Sequence, residues 1–147
     1  MILIDANVLL YSRDSLSPRH EVARIWLELT LSSAEDVRVG LVSLLAFVRI
    51  STHPRVFSTP LEVAAALETI EEWLALPNFR VAEPTERHWA ILAEVAVKGQ
   101  ARGPLVSDAH LAALAIEHGA RLATTDRGFA RYQGLRWFDP LQESPAA

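Results

Sequence analysis

Short apolar runs separated by stretches with helical spacing constrain this chain more than any other feature. The runs are Ile2–Ile4, Val37–Val42, "FRVAEP", "ARLATT" and "LRWF". Such alternation is the pattern of an α/β domain on a mainly parallel sheet. The intervening segments carry their own start and stop signals. Ser17 reads as an N-cap with Pro18 at the first helical position, and Val22, Ile25, Trp26 and Leu29 then share a face. "SLLAFVRIST" predicts a helix from Ser43 that stops before Pro54. Thr59, Pro60 and Glu62 form a capping-box pattern ahead of a stripe of Leu67, Ile70 and Leu74, with Glu68, Glu71 and Glu72 as a solvated face. A helix from Thr85 carries Trp89, Leu92, Val95 and Ala96 and ends near Gly99. Ser107 reads as the N-cap of a further helix, which puts Asp108 at its first position. Leu111, Leu114 and Ala115 face inward there, and Gly119 terminates the helix in the left-handed conformation.

With 147 residues and no internal repeat or linker, the chain reads as one domain over residues 1–141, with residues 142–147 a frayed tail. There is no cysteine, which excludes disulfides, thiolate zinc sites and cysteine nucleophiles and fits a reducing cytoplasm. No apolar stretch approaches the roughly 20 residues that span a bilayer. No basic region precedes the short N-terminal apolar run, so neither a membrane segment nor a signal peptide is expected. The net charge of −4 does not describe a non-specific nucleic-acid binder. Thirteen of the fourteen basic residues are arginine, a residue suited to bidentate phosphate contacts.

The acids fall in a pattern. Asp5 directly follows the strand "ILI", where an ionised carboxylate needs water or a cation. Asp126 follows "RLATT", and Asp108 stands at a helix start after the apolar "PLV". Each is at the carboxyl end of a strand or the start of the next helix, where open α/β sheets bind ligands. Three carboxylates gathered there repel one another, and a divalent cation relieves that repulsion. With oxygen donors only and no histidine pair nearby, the set favours Mg²⁺ or Mn²⁺ over zinc, and with it phosphoryl chemistry by a metal-activated water. Asn7 either orients a water or a ligand carboxylate, or caps a following helix. Ser107, Thr124 and Thr125 are candidates for supporting bonds. The five histidines show no metal-binding spacing and read as surface or packing residues.

With "LIDANVLLYS", "FVRISTHPRVF", "LVSDAHLAALAIEHGARLATTDRGFARYQGL" and "RWFDPL" in matching order, the sequence resembles the PIN-domain family, specifically the VapC ribonuclease toxins of bacterial toxin–antitoxin pairs. The resemblance implies a three-layer α/β/α sandwich, Mg²⁺- or Mn²⁺-dependent RNA cleavage, neutralisation by a VapB-type antitoxin, and a homodimer. It makes Asp5, Asp108 and Asp126 the catalytic and metal-binding acids. Asn7, Arg13, Arg49 and Arg127, with Arg55, are the candidate RNA contacts. An acidic pocket of this kind also invites blockade by a basic antitoxin side chain. Two positions depart from the family pattern: Ala46 stands where many relatives carry glutamate, and Gly128 where another aspartate is common. A single ion held by Asp5 and Asp108 is therefore expected, with Asp126 a ligand directly or through water.

Ala46 also keeps open a second reading, a PIN-like RNA-binding or assembly module with a depleted, non-catalytic site. A dehalogenase-type phosphotransferase fits less well, because it needs an aspartate where Asn7 stands. No glycine-rich loop after a strand supports nucleotide binding.

Overall fold

The computed structural model describes residues 1–142. The strands are β1 (Ile2–Ile4), β2 (Val37–Val39), β3 (Phe79–Val81), β4 (Arg121–Ala123) and β5 (Trp137–Phe138). They form one parallel sheet in the order β3-β2-β1-β4-β5. The helices are α1 (Ala6–Arg13), α2 (His20–Leu31), α3 (Leu41–Ser51), α4 (Val63–Leu74), α5 (His88–Lys98) and α6 (Leu105–His118), and a 3₁₀ turn covers Arg127–Arg131.

Side chains alternate across a strand, and the strands feed two cores. Ile2 and Ile4 pack with Val8, Leu9, Leu27, Phe47, Ile70 and Trp73 of α1 to α4. Leu3 and Leu122 pack on the other face with Val95 of α5 and Ala109, Ala112 and Leu114 of α6. That is the expected three-layer α/β/α sandwich. Burial of β1 on both faces explains its unbroken apolar sequence. Among the described residues, no helix is long and apolar enough to cross a membrane.

The strand positions agree with the sequence reading, although β2 stops at Val39 because Gly40 is the N-cap of α3, which begins at Leu41, two residues before the expected Ser43. Several helix starts differ for local reasons. The extra helix α1 begins directly after Asp5, whose carboxylate accepts the Ala6 N–H at 2.7 Å. Ser17 caps a turn rather than a helix, its Oγ accepting the Arg19 N–H, and α2 begins at His20. The Thr59 capping box does not form. Leu61 N–H is drawn to the Ser51 carbonyl at 2.8 Å and the chain stays extended until Glu62, so α4 starts at Val63. Its inward stripe is Ala66, Ile70 and Trp73, leaving Leu67 and Leu74 exposed and Glu68, Glu71 and Glu72 solvated. Ser107 is no N-cap either. Gly103 turns the chain with φ +58° and α6 starts at Leu105, so Asp108 sits near the end of its first turn. Gly119 does end α6 at φ +66°. The expected frayed tail lies, from residue 143 onward, outside the described residues.

Candidate active site

Ile4 pairs with Ala123, and the Asp5 N–H continues the register to the Ala123 carbonyl at 3.0 Å. Asp5 therefore leaves the carboxyl end of β1 beside Thr124 to Asp126 at the same end of β4. The chain runs from β1 to β2 on one side and returns to β4 on the other. This is the topological switch point at which open α/β sheets form their ligand crevice.

A hydrogen-bond knot joins the two strand ends. The fully buried Thr124 hydroxyl donates to Asp5 Oδ2 at 2.8 Å. It accepts from Asn7 Nδ2 at 3.1 Å and from the Asp126 N–H at 3.0 Å. With both lone pairs taken, its proton has one remaining direction, towards Asp5. Asn7 Nδ2 also reaches Asp5 Oδ2 at 3.2 Å, and Asn7 Oδ1 accepts the Thr125 N–H at 3.3 Å. Asn7 thus orients a carboxylate, which was one of its two expected roles. The helix cap is Asp5 itself.

Asp108 approaches from α6. A cleft of about 450 Å³ is walled by Asp5, Ser43, Ala46, Arg49, Ser107 and Asp108. Burial, followed by the charges of Asp126 and Asp5, raises the Asp108 pKa to about 6, and Arg131 partly offsets this. Burial raises the Asp5 pKa as well; the Thr124 and Ala6 hydrogen bonds oppose the rise and the Asp126 charge adds to it. The three acids therefore share one electrostatic field, with Asp126 at the rim. Its Oδ1 accepts the Gly128 N–H at 2.8 Å and caps the 3₁₀ turn. A Cβ at residue 128 would lie 2.9 Å from that oxygen, so the Asp126 carboxylate packs closely on the turn.

Among the described residues, no three carboxylates or histidines form a ready-made metal cage. The donor set suits a hard divalent ion held by two carboxylates and completed by water: it contains oxygen only, and burial, with added negative charge nearby, already raises both side-chain pKa values. Ala46 adds no donor to the cleft wall.

The arginine expectations divide. Arg49 lines the cleft. Arg13 does not: it sits at the far end of α1, with its guanidinium 5.4 Å from the Trp73 ring centroid, and lines a separate hollow with His20 and Arg24. One helix length separates it from Asp5, so it is withdrawn as a cleft residue. Arg127 is exposed on the 3₁₀ turn beside Asp126, and Arg55 lies on the exposed loop before α4. Arg131 was missed. It reaches the Asp108 field because the 3₁₀ turn folds it back, its Nη1 donating to the Gly99 carbonyl at 3.3 Å. No sequence spacing announces that turn.

Comparison with known proteins gives this site a family. The PIN-domain profile matches residues 2–135. The chain is a PIN domain. Its relatives carry VapC names. Ribonuclease VapC37 of Mycobacterium tuberculosis is 43% identical over 140 residues, 95% of this chain and 97% of that protein. Ribonuclease VapC33 of the same organism is 35% identical over 97% of this chain and 100% of its own length. Among solved structures, VapBC2 from Rickettsia felis, bound to a promoter DNA fragment, matches with a TM-score of 0.68 at 15% identity, covering 94% of this PIN domain and 98% of that chain. Mycobacterium tuberculosis VapC20, described as a sarcin-ricin loop cleaving toxin, matches with a TM-score of 0.66 at 18% identity, covering 92% and 99%. The sequence relatives place this PIN domain among the VapC ribonucleases, and the structural neighbours share its fold.

Proposed function

We propose that this PIN domain is a metal-dependent endoribonuclease, the toxin of a VapBC-type pair. The observation that carries the reading is the convergence of Asp5 and Asp108 on one cleft at the sheet's switch point, within the field of Asp126. The relatives named as ribonucleases support it. Asp5 and Asp108 would hold the ion, Mg²⁺ with Mn²⁺ as a substitute. When bound, such an ion lowers the pKa of a water and stabilises charge on the phosphorus oxygens and the leaving group.

The protein's own groups do the positioning. Thr124 and Asn7 fix the Asp5 carboxylate, and the Ala6 N–H fixes its second oxygen. Asp126 extends the negative field at the rim. Arg49 offers its guanidinium to an RNA phosphate entering the cleft, and Arg127 and Arg131 extend the cationic edge. Local attraction of this kind lets a net-acidic protein hold RNA. A VapB-type antitoxin would silence the site with a basic side chain set against the same carboxylates. The solved complexes of related fold support an antitoxin partner. The working form is a homodimer in the cytoplasm.

The test is RNA cleavage with Mg²⁺ or Mn²⁺, with EDTA, and with Asp5→Asn and Asp108→Asn. Cleavage should require metal, and each substitution should cost about 100-fold or more, the scale of losing one preorganised charge from an active site. Cleavage that persists in EDTA would reject the mechanism. No cleavage of any RNA combined with no Mn²⁺ binding would favour the non-catalytic module.

A further inference from the structure

The cleft wall contains a hydroxyl that the fold leaves without a partner. Ser43 lies in the first turn of α3. On one side of it is the stripe that faces the cleft, Val42, Ala46 and Arg49, and on the other the buried stripe of Leu44 and Phe47. The residue is 2% exposed. A serine within a helix commonly returns its hydroxyl to the carbonyl three or four residues back. Here the Gly40 carbonyl already accepts the Ser43 N–H at 3.0 Å and the Leu44 N–H at 3.2 Å, and the Val39 carbonyl accepts the Ala82 N–H at 2.9 Å. No described residue bonds the Ser43 Oγ. The oxygen is not sealed in, as the orphaned Ser51 hydroxyl at the other end of α3 is, and it opens on the cleft.

The charged groups of the cleft each offer one half of a hydrogen bond. Ionised Asp5 and Asp108 only accept, and Arg49 only donates. A phosphate oxygen only accepts, so Arg49 suits it. Ser43 both donates and accepts, and a ligand group with the same two capacities uses both halves. Val42, Leu45 and Ala46 line the same wall and lower the local dielectric, which strengthens a bond made there. Ser107 carries the same group, but it is exposed to bulk water, where a hydrogen bond discriminates less. On a nucleic-acid backbone the group that both donates and accepts is the ribose 2′-hydroxyl, present in RNA and absent from DNA.

We propose that Ser43 reads the 2′-hydroxyl of one ribose seated in the cleft and so sets a preference for RNA over DNA. The inference rests on the ribonuclease reading above and deepens it, by assigning the residue that recognises the sugar.

The test is a cycle between the protein hydroxyl and the ligand hydroxyl, read by fluorescence anisotropy in the Asp108→Asn background so that nothing turns over. A single-stranded RNA is compared with strands carrying one deoxyribose at each position in turn, and with the all-deoxy strand. With Ser43 in place, one deoxyribose should weaken binding about tenfold, the scale of one hydrogen bond. With Ser43→Ala added, the intact RNA should bind about tenfold more weakly, and that deoxyribose should then cost nothing more. The all-deoxy strand should lose nothing to Ser43→Ala. Thermal melting is the fold control: replacing an unpartnered hydroxyl with alanine, a better helix former, should raise Tm by about 2 °C. An equal loss on RNA and DNA, as a phosphate contact gives, would overturn the proposal. So would a lowered Tm, which would make the hydroxyl a support of the fold. RNA binding that Ser43→Ala leaves unchanged would overturn this inference alone, whereas a protein that binds no RNA would overturn the ribonuclease reading with it.

Discussion

Thr124 and Asp108 illustrate opposite ways of handling a carboxylate site. Thr124 makes three hydrogen bonds with no exposure, so Thr124→Val strands the Asn7 amide and the Asp126 N–H and frees Asp5. Metal affinity, read by Mn²⁺ titration calorimetry, should fall about 10- to 100-fold, the usual effect of losing a group that orients a ligand. Thr124→Ser keeps the hydroxyl and should restore most of it. Asp108 is instead disfavoured as a carboxylate by burial and then by its charged neighbours. The folded chain holds its proton up to about pH 6, whereas the unfolded chain releases it near 3.8, the ordinary aspartate value. Its contribution to stability is therefore full below about pH 4 and is lost as the pH rises through 6. In metal-free protein at neutral pH, Asp108→Asn should raise stability by about 1 kcal/mol after allowance for solvent screening, roughly 3 °C in Tm. At pH 4 the gain should vanish. Calorimetric melts with EDTA at the two pH values check both the size and the sign.

At the scale of elements, α6 carries Asp108 near one end and Glu117 at the other. Glutamate at a helix C-terminus opposes the macrodipole, and here the side chain is fully buried as well. The structure compensates with His88 and with the Thr85 N–H at 3.0 Å, so Glu117 clamps the start of α5 to the end of α6. Glu117→Ala leaves those buried donors without an acceptor and should cost about 3 kcal/mol in urea denaturation. Glu117→Gln keeps one acceptor oxygen and should cost about half as much. Nothing in "LAIEHG" distinguishes this glutamate from a solvated one, because its partner lies 29 residues away. The same divide separates what was legible along the chain. Asp5 was readable because an apolar strand leads straight into it, and Gly119 because a left-handed helix end asks for glycine. The Thr59 box and the Ser107 cap were sound local signals that tertiary contacts overrode: one lost to the Leu61–Ser51 bond, the other to the turn at Gly103. Arg131 entered the site, and Arg13 left it, through a turn and a helix length that no local pattern encodes.

For the whole molecule, the net charge of −4 sets how RNA can be held. A protein with a broad cationic face neutralises many phosphates, and its affinity collapses as salt displaces released counterions. This chain has no such excess. Its cationic groups at the site are Arg49 in the cleft wall, Arg131 in the Asp108 field and the exposed Arg127 at the rim. Neutralisation of about three phosphates gives a slope of log K against log salt near −2 for single-stranded RNA, at about 0.7 per phosphate. Fluorescence anisotropy of a single-stranded RNA with Asp108→Asn, across a KCl series, measures that slope without turnover. Arg49→Ala should make it shallower by about 0.7, the share of one phosphate contact, while Arg13→Ala should leave it unchanged. A slope steeper than about −5 would require seven or more contacts. Charge gathered at one edge of the sheet cannot supply that many, and RNA would then have to cross a surface other than the switch-point cleft.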